Sequence, residues 1–412
     1  MSAGPAAPYR RDRVTWVAFT ALFAFGLLNA LLGPALPYLR AAEGISYVTG
    51  ALHQAAFAVG GGVAGVLAAR DRNRLSRRAT ICVGLSGAAG ACLVLGYGRT
   101  AAVTILAAFL ISALATAALI RIWAVLAVVH QRWRAVALSE GEVSVSVAGI
   151  LVPALVGGLA ATSAGWRSAF VVTAAVVAAA AVLVAVSPIP AGSPTPAALR
   201  APGSGRPGPW STLVIVFSIV ALEFTLSFWV ASYLNDDVGM ARNAAVTMVS
   251  GLYAANLAGR LLTSRLARHA TAEALLAGAL GLTMLGLPLL LTASGPIAAA
   301  LGLTACGVGI GATFPLTSAM HIAASPRSAE TALGEVLAVA SAGQLAGPLM
   351  AGVVAQATDL RVGLILLPAL TLTAAGGLVG YRRISGDAPR GAELARRGRS
   401  RPSGRARPNG RG

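Results

Sequence analysis

The chain has 412 residues, of which 56% are hydrophobic and only 11% are charged, a composition that excludes an ordinary soluble globular domain. Its net charge of +18 comes from arginines that lie between apolar runs or in the C-terminal tail, which argues against a nucleic-acid binder. The three cysteines, Cys82, Cys92 and Cys306, lie inside apolar runs, so neither a disulfide framework nor a metal site is predicted.

Twelve apolar runs are long enough to cross a bilayer as helices, which predicts an all-α polytopic membrane protein. In chain order they cover 14–38, 47–69, 79–98, 101–129, 135–162, 168–187, 211–234, 243–262, 271–293, 296–320, 332–356 and 362–381. The first run is too long to be a cleaved signal peptide. Around the runs we predict an N-terminal tail at 1–13, a Pro- and Gly-rich linker at 188–210 and a basic, disordered tail at 382–412.

The second six runs repeat the first six at a fixed offset of 195 residues. The offset pairs Tyr38 with Tyr233, Gly44 with Gly239, Arg70 with Arg265, Glu140 with Glu335 and Pro153 with Pro348. No insertion is needed, and a parallel duplication of this kind is typical of transporters. We therefore predict two six-helix bundles, 14–187 and 211–381, related by a pseudo-twofold axis along the membrane normal.

The arginines are distributed unequally between the two sides of the predicted membrane protein. If the N-terminus is cytoplasmic, 25 arginines lie in cytoplasmic loops and tails and five lie on the opposite side. This asymmetry predicts a bacterial inner-membrane protein with both termini in the cytoplasm. The basic tail is interpreted as a topology signal that touches anionic lipid.

The twelve spans, the duplication, the central linker and a basic loop between runs 2 and 3 resemble the major facilitator superfamily over residues 14–381. The family's loop pattern G-x-L-A-D-R-x-G-R-R appears as GVLAARDRNR at 65–74, with Ala69 in place of the aspartate. The matching residues are Gly65, Arg70 and Arg74 in the first half, and Gly259, Arg260 and Arg265 in the corresponding stretch of the second. The resemblance implies that these loops latch one conformational state, and the missing aspartate puts that latch in doubt.

A second family pattern, G-x-x-x-G-P-x-x-G-G, is usually associated with antiporters and falls in runs 5 and 11. Its residues here are Pro153, Gly157 and Gly158 in run 5, and Gly343, Gly347, Pro348 and Gly352 in run 11. Small residues let helices approach closely and proline bends them. We therefore expect both copies to form surfaces that slide during transport.

Ionisable residues inside the runs avoid runs 3, 6, 9 and 12, which are the lipid-facing supports of the resembled fold. The cavity and substrate candidates are Asn29, His53, Gln54, Arg121, Phe224, Phe228, Trp229, Asn256 and Gln344. Each has a structural alternative: a satisfied histidine, hydrogen bonds between helices, or ordinary aromatic packing. Arg260 and Glu335 are expected near the cytoplasmic ends, as gate or structural residues.

An ion pair is predicted between runs 4 and 5. Arg121 lies eleven residues before the turn at Arg132, and Glu142 lies ten after it, with Glu140 half a turn away. Helices rise about 1.5 Å per residue, so these side chains have similar depths. Because an unpaired charge in the membrane is costly, Arg121 is expected to pair with one of the two acids.

Glu223 is the candidate for proton coupling. It is the thirteenth residue of a 24-residue run, so it lies near the bilayer centre, and its repeat partner is Leu28. Desolvation favours the neutral form of such a carboxyl group, which would then hold a proton and release it to water. A neutral glutamic acid hydrogen-bonded to Asn29 or Asn256 is the structural alternative.

The resemblance implies a secondary transporter that moves a small solute by alternating access, as a monomer without a cofactor. Proton-coupled efflux of an apolar drug or metabolite by antiport is the favoured form. The alternatives are a proton symporter that imports a metabolite, or a membrane sensor on the same scaffold. No H-E-x-x-H, G-x-S-x-G or Walker pattern occurs, so neither an enzyme nor an ATP-driven pump is predicted.

Overall fold

The computed structural model describes residues 9–69, 75–190, 209–327 and 329–399, and all regular elements within these ranges are helices. They are α1 Arg13–Glu43, α2 Tyr47–Ala69, α3 Arg77–Tyr97, α4 Ala101–His130, α5 Arg134–Ala160, α6 Ser168–Ala185, α7 Trp210–Asp236, α8 Arg242–Leu266, α9 Ala272–Leu291, α10 Pro296–Ile310, α11 Thr313–Ala324, α12 Ala329–Ala357, α13 Leu360–Gly363 and α14 Leu366–Arg399. The turn Gln131–Trp133 joins α4 to α5 as a short 3-10 helix.

Eleven helices in the described part of the chain are long and apolar enough to cross a membrane. The predicted run 10 is one such span, Pro296–Ala324, which breaks at Gly311 into α10 and α11. The predicted run 8 is α8, which has 25 residues but is less apolar than the other long helices because Asn243, Asn256 and Arg260 interrupt it. This more polar helix packs between α5, α7 and α10.

The helix boundaries repeat at the offset found in the sequence. Four helices of the first half start 195 residues before their equivalents in the second half. These pairs of starts are Tyr47 of α2 and Arg242 of α8, Arg77 of α3 and Ala272 of α9, Ala101 of α4 and Pro296 of α10, and Arg134 of α5 and Ala329 of α12. The loops after α1 and α7 repeat as well, since Gly44 and Gly239 have φ of 64° and 76°. Glycine adopts this left-handed conformation without the strain that a Cβ would cause.

The predicted linker and the predicted C-terminal tail flank the second bundle, and the structure describes only part of each. Residues 191–208 of the predicted linker lie outside the described residues. The last helix, α14, is described as far as Arg399, past the predicted end of the bundle at 381, and the disordered tail predicted from residue 382 stays a prediction.

The two halves meet through pairs of helices that the repeat makes equivalent, α5 with α8 and α12 with α2. Gly157 of α5 lies against the backbone of Asn243, and Gly352 of α12 lies against Tyr47 and Ala51. Here a glycine is required, because a Cβ at Gly352 would lie 2.8 Å from the Ala51 Cβ. Two glycines of the predicted sliding motif, Gly157 and Gly352, therefore make close approaches between the halves.

One end of the molecule, here called the closed end, carries the α1–α2 and α7–α8 loops. Arg40 of α1 donates to Asp236 of α7 at 2.9 Å, and the Tyr47 hydroxyl donates to the same carboxylate at 2.9 Å. The Tyr47 backbone also donates to Gln356 at 3.0 Å. Among the described residues, these side-chain hydrogen bonds join the two halves at the closed end. The opposite end, where α1 begins and α14 ends, is here called the terminal end.

Candidate substrate cavity

A cavity of about 370 Å³ lies between the two halves. Its wall is formed by one face each of α1, α4, α5, α7, α8, α11 and α12. The lining residues recur at helical spacing, for example Glu142, Val145, Ser146 and Gly149 on α5, and Leu337, Ala340, Ser341 and Gln344 on α12. Residues three, four and seven apart share a helix face, so each helix presents one stripe to the cavity.

Seven pairs of cavity-lining positions are 195 residues apart. They are Phe25 and Val220, Asn29 and Phe224, Leu119 and Phe314, Glu142 and Leu337, Val145 and Ala340, Ser146 and Ser341, and Gly149 and Gln344. The cavity wall is thus built twice from equivalent positions, as the duplication predicts. The superposition of the two bundles itself stays a prediction.

Glu223 lies in this wall, with its side chain half-buried and facing the cavity. The Asn256 side-chain amide donates to its Oε1 atom at 3.2 Å. The predicted alternative contact from Asn256 is therefore present, and Asn29 lines the same cavity. Because an amide N–H can donate to a carboxylate or to the carbonyl oxygen of a carboxylic acid, this contact is compatible with both protonation states.

Arg260 supplies the positive charge of the cavity. Its Nε atom donates to the backbone carbonyl of Gly311 at 3.0 Å, at the break between α10 and α11. The preceding Gly259 lies against the backbone of Val308, so α8 and α10 approach closely enough for this contact. Arg260 also lines the central cavity, and its role as a gate or structural residue stays a prediction.

Glu142 of α5 faces the same cavity from the other half. Arg260 interacts electrostatically with Glu142 and also with Glu223. One guanidinium therefore lies near two carboxyl groups, one from each half, without a direct ion pair to either in the described chain. Among the described residues that line the cavity, these three are the carboxyl and guanidinium side chains.

The cavity candidates from the sequence divide into three groups. Those in the main wall are Asn29, Glu223, Phe224, Asn256 and Gln344, with Arg260 and Glu142 now added. A smaller cavity of about 70 Å³ adjoins it and is lined by Gln54 and Phe228, together with Asn29, Glu223 and Phe224. The remaining candidates, His53, Arg121 and Trp229, line neither cavity.

His53 is a satisfied structural histidine. Its side chain is 0% exposed, and its two ring nitrogens lie 2.9 Å from the Thr49 carbonyl and 2.9 Å from the Thr104 hydroxyl. Trp229 is equally buried and donates its indole N–H to the Pro348 carbonyl at 2.9 Å. For both residues the geometry agrees with the structural alternative, a satisfied histidine and aromatic packing, because both side chains point into packed helix interfaces.

The predicted ion pair between α4 and α5 is wrong. Glu140 instead accepts from Arg11 at 2.6 and 2.8 Å and from the Tyr9 hydroxyl at 2.9 Å. This contact raises the pKa of the Arg11 guanidinium above its ordinary value, through hydrogen bonding and charge attraction to Glu140. Arg121 lies between α2 and α4, on another face of the helix. Depth along a helix can be counted from sequence, whereas the direction of the side chain depends on packing.

Glu335, the repeat partner of Glu140, also forms a structural ion pair near the terminal end. It pairs with Arg327, and its second carboxylate oxygen lies 3.1 Å from the Nε2 atom of His321. The Nδ1 atom of His321 contacts the Thr212 hydroxyl at 2.7 Å. The prediction that Glu335 serves the structure rather than the binding site agrees with this arrangement.

The two motif sets occupy different places. Gly65 of α2 has open space around it, Arg265 is exposed near the end of α8, and Arg70 and Arg74 lie outside the described residues. Gly343 and Gly347 lie against α7 at Phe217 and Ala221, where α12 and α7 pack. Pro153 is inside α5, and Gly158 has open space.

Several cavity residues were not predicted as such: Trp123, Glu142, Tyr253 and Arg260. A signal for two of them was present, since Tyr253, Asn256 and Arg260 follow helical spacing on α8. Trp123 carried no such signal, because tryptophan on an apolar helix is equally typical of packing. Among the described residues, no three His, Cys, Asp or Glu side chains cluster closely enough to hold a metal ion.

Comparison with known proteins agrees on the family and the fold. The sequence profile of the Major Facilitator Superfamily matches residues 18–334. No curated protein matches the chain in sequence. Similar solved structures include a bacterial homologue of the human lysosomal transporter Spinster in an inward-facing, occupied conformation. The two sequences are 16% identical, the match covers 92% of this chain and 98% of that chain, and the TM-score is 0.69.

Two further structures have the same fold. The D323A mutant of the nucleoside transporter NupG has 13% identity, coverage of 90% and 100%, and a TM-score of 0.71. A D-xylose-proton symporter has 15% identity, coverage of 89% and 96%, and a TM-score of 0.70. At these identities the similarity shows the fold, and it does not identify the solute of this chain.

Proposed function

Because the chain belongs to the Major Facilitator Superfamily, whose members are transporters rather than enzymes, we propose that it moves a small solute by alternating access, coupled to protons. The central cavity is the proposed solute site, in keeping with sites at the interface of structural repeats. Its volume of about 370 Å³ falls within the range of small-molecule sites. Its aromatic and aliphatic wall favours an apolar drug or metabolite over a multiply charged ion.

The observation that carries proton coupling is the shared guanidinium. Glu142 and Glu223 both interact with Arg260, which can neutralise one carboxylate but not two. In a cavity closed to water the second carboxyl group is favoured in its neutral form, so it binds a proton. We assign this role to Glu223, which lies mid-way along α7 and receives a hydrogen bond from Asn256.

The proposed direction is efflux by antiport. In this cycle, entry of water or solute into the cavity replaces the contacts that favour protonated Glu223, and the proton leaves on the side to which the cavity opens. The alternative is proton symport, the activity named for the D-xylose neighbour of the same fold. The two forms differ in the sign of the pH gradient that drives accumulation of the solute.

The arginine asymmetry of the loops supports an inner-membrane orientation with both termini in the cytoplasm. In this orientation the closed end is the outer end, and we propose that the halves separate toward the cytoplasm. The chain would then be described in an inward-facing conformation. Accessibility of single cysteines introduced in the α1–α2 loop and the α8–α9 loop to an impermeant reagent in intact cells tests the orientation.

Glu223→Gln is the direct test of the proton role. A thermal-shift screen of the purified protein first supplies a ligand, whose flux is then measured in proteoliposomes. We expect Glu223→Gln to lose transport driven by a pH gradient while it keeps gradient-free exchange of ligand. Glu140→Gln is the matched control, because Glu140 pairs with Arg11 away from the cavity. Gradient-driven flux in Glu223→Gln equal to that of the parent protein would contradict the proposal.

A further inference from the structure

A further cavity of about 360 Å³ lies away from the central one, in a groove between α2 and α4. Its lining residues are Val63, Ala64, Leu67, Ala68, Ala113, Leu114, Ala117 and Arg121. Seven of these eight side chains are apolar, and Arg121 is the single charged group in the described wall. Val63 and Leu67 are 39% and 52% exposed, so the wall is open along α2.

Arg121 is a buried positive charge that no acidic side chain of the described chain neutralises. Its side chain is 7% exposed, and in the described part of the chain no carboxylate lies within ion-pair distance of it. Arg121 interacts electrostatically with Arg77 at the start of α3, which is 8% exposed and has the same sign of charge. Arg77 itself donates to the Pro190 carbonyl at 3.4 Å.

Two guanidinium groups of like charge are therefore buried together beside an apolar groove. Removing an unpaired charge from water carries a large free-energy cost, and like charges add to it. An anion at this place would offset both contributions. A guanidinium presents a planar fork of N–H donors that matches the oxygens of a phosphate, and the apolar walls match a hydrocarbon chain.

We propose that this groove binds an anionic phospholipid, with its phosphate at Arg121 and Arg77 and an acyl chain along the walls of α2 and α4. The inference is independent of the proposed transport function. It rests on the charge of the two arginines, their burial and the apolar surface next to them.

The depth of Arg121 suits a lipid headgroup. Arg121 lies nine residues before the end of α4 at His130, which places it about 13 Å along the helix from that end. The 30-residue α4 is about 45 Å long, whereas the hydrocarbon core is about 30 Å thick, so the helix extends beyond the hydrocarbon. The long arginine side chain can therefore meet a phosphate near the boundary of the leaflet at the terminal end.

The site is confined to one half of the molecule. At the offset of 195 residues, Arg121 corresponds to Leu316 and Arg77 to Ala272. Neither replacement carries a charge, so the duplicated scaffold alone does not require these arginines. The equivalent groove of the second half serves as an internal reference. Because it lacks both arginines, it should bind phosphatidylglycerol and phosphatidylcholine equally well.

The test is native mass spectrometry of the purified full chain with dioleoyl-phosphatidylglycerol or dioleoyl-phosphatidylcholine at equal concentrations. The parent protein should retain phosphatidylglycerol in preference, and Arg121→Gln should weaken that binding about fivefold to tenfold. Arg265→Gln is the matched control, because Arg265 is an exposed arginine of the terminal end in the other half. It should leave the preference unchanged.

A second variant keeps both charges and fills the groove. Ala117→Phe should reduce phosphatidylglycerol binding without changing the net charge, so the inference is tested even if Arg121→Gln fails to fold. Oleate is the third probe, since its carboxylate offers the same charge on a single chain. The proposal would be overturned if the two phospholipids bound equally, or if Arg121→Gln or Ala117→Phe kept the preference of the parent protein. Binding of oleate but not of phosphatidylglycerol would also overturn it.

Discussion

The two halves of the cavity wall use equivalent positions but different chemistry. The second half contributes Glu223, Asn256 and Arg260, whose equivalents in the first half are Leu28, Gly61 and Gly65. The first half contributes one acid, Glu142, opposite its equivalent Leu337. Helix starts and lining positions are thus duplicated, whereas the charges occur once.

This difference separates scaffold from mechanism. At the interface the halves act alike, because Gly157 and Gly352 are equivalent positions and both make close helix contacts. In the cavity they act differently, because a single cation faces acids from both halves. Substitutions at interface positions should therefore have similar effects in the two halves, and substitutions of cavity charges should not.

The largest effect is expected from Arg260→Gln. Without this guanidinium, no cation of the described cavity wall remains near Glu142 and Glu223. Loss of the opposite charge typically destabilises a buried charged group by about 3–5 kcal/mol. Gradient-driven flux in proteoliposomes should fall at least about tenfold. The double variant with Glu142→Gln should recover part of the flux, since one acid is then neutral.

Arg265→Gln is the control for Arg260→Gln, because it removes an arginine from the same helix outside the cavity. Its flux should equal that of the parent protein. If Arg260→Gln transported like Arg265→Gln, the charge asymmetry of the two halves would have no mechanistic role.

A smaller effect, similar in both halves, is expected from Gly157→Leu and Gly352→Leu. Larger side chains would clash with Asn243 in the first case and with Ala51 in the second, and overpacking typically costs about 1–3 kcal/mol. Both variants should weaken the closed end, which spin labels on the α1–α2 and α7–α8 loops would report as longer distances. Gly158→Leu is the control, since open space surrounds Gly158. An effect of Gly158→Leu as large as that of its neighbour would contradict the assignment of the contact.

The smallest effect is expected from Asp236→Asn. The Arg40–Asp236 pair joins the halves at 2.9 Å but is partly exposed, and pairs of this kind typically contribute about 1 kcal/mol or less. The same distance measurement should show a slight shift toward separated loops. Glu273→Gln, which removes the pair of Glu273 with Arg382 inside one half, should leave the distances unchanged.

Much of the fold could be predicted from the sequence, because long apolar runs, the 195-residue repeat and the Gly44 and Gly239 turns are local or periodic signals. Glu223 could be assigned to the cavity for the same reason, since it is a lone acid mid-way along an apolar run. The partners of Arg121 and Glu140 could not, because rotation of a helix about its axis depends on packing against its neighbours. The place of Arg260 in the cavity wall could not be predicted either, because it depends on the break at Gly311, whose carbonyl holds the guanidinium there.

The central claim is that Glu223 carries a proton in the cavity while Glu142 and Arg260 remain charged. Infrared difference spectroscopy of the protein in lipid nanodiscs, compared across pH, detects the carbonyl stretch of a protonated carboxyl group. The account predicts such a band in the parent protein and in Glu142→Gln, and its loss in Glu223→Gln. A band that persists in Glu223→Gln, or that disappears only in Glu142→Gln, would contradict the assignment of the proton to Glu223.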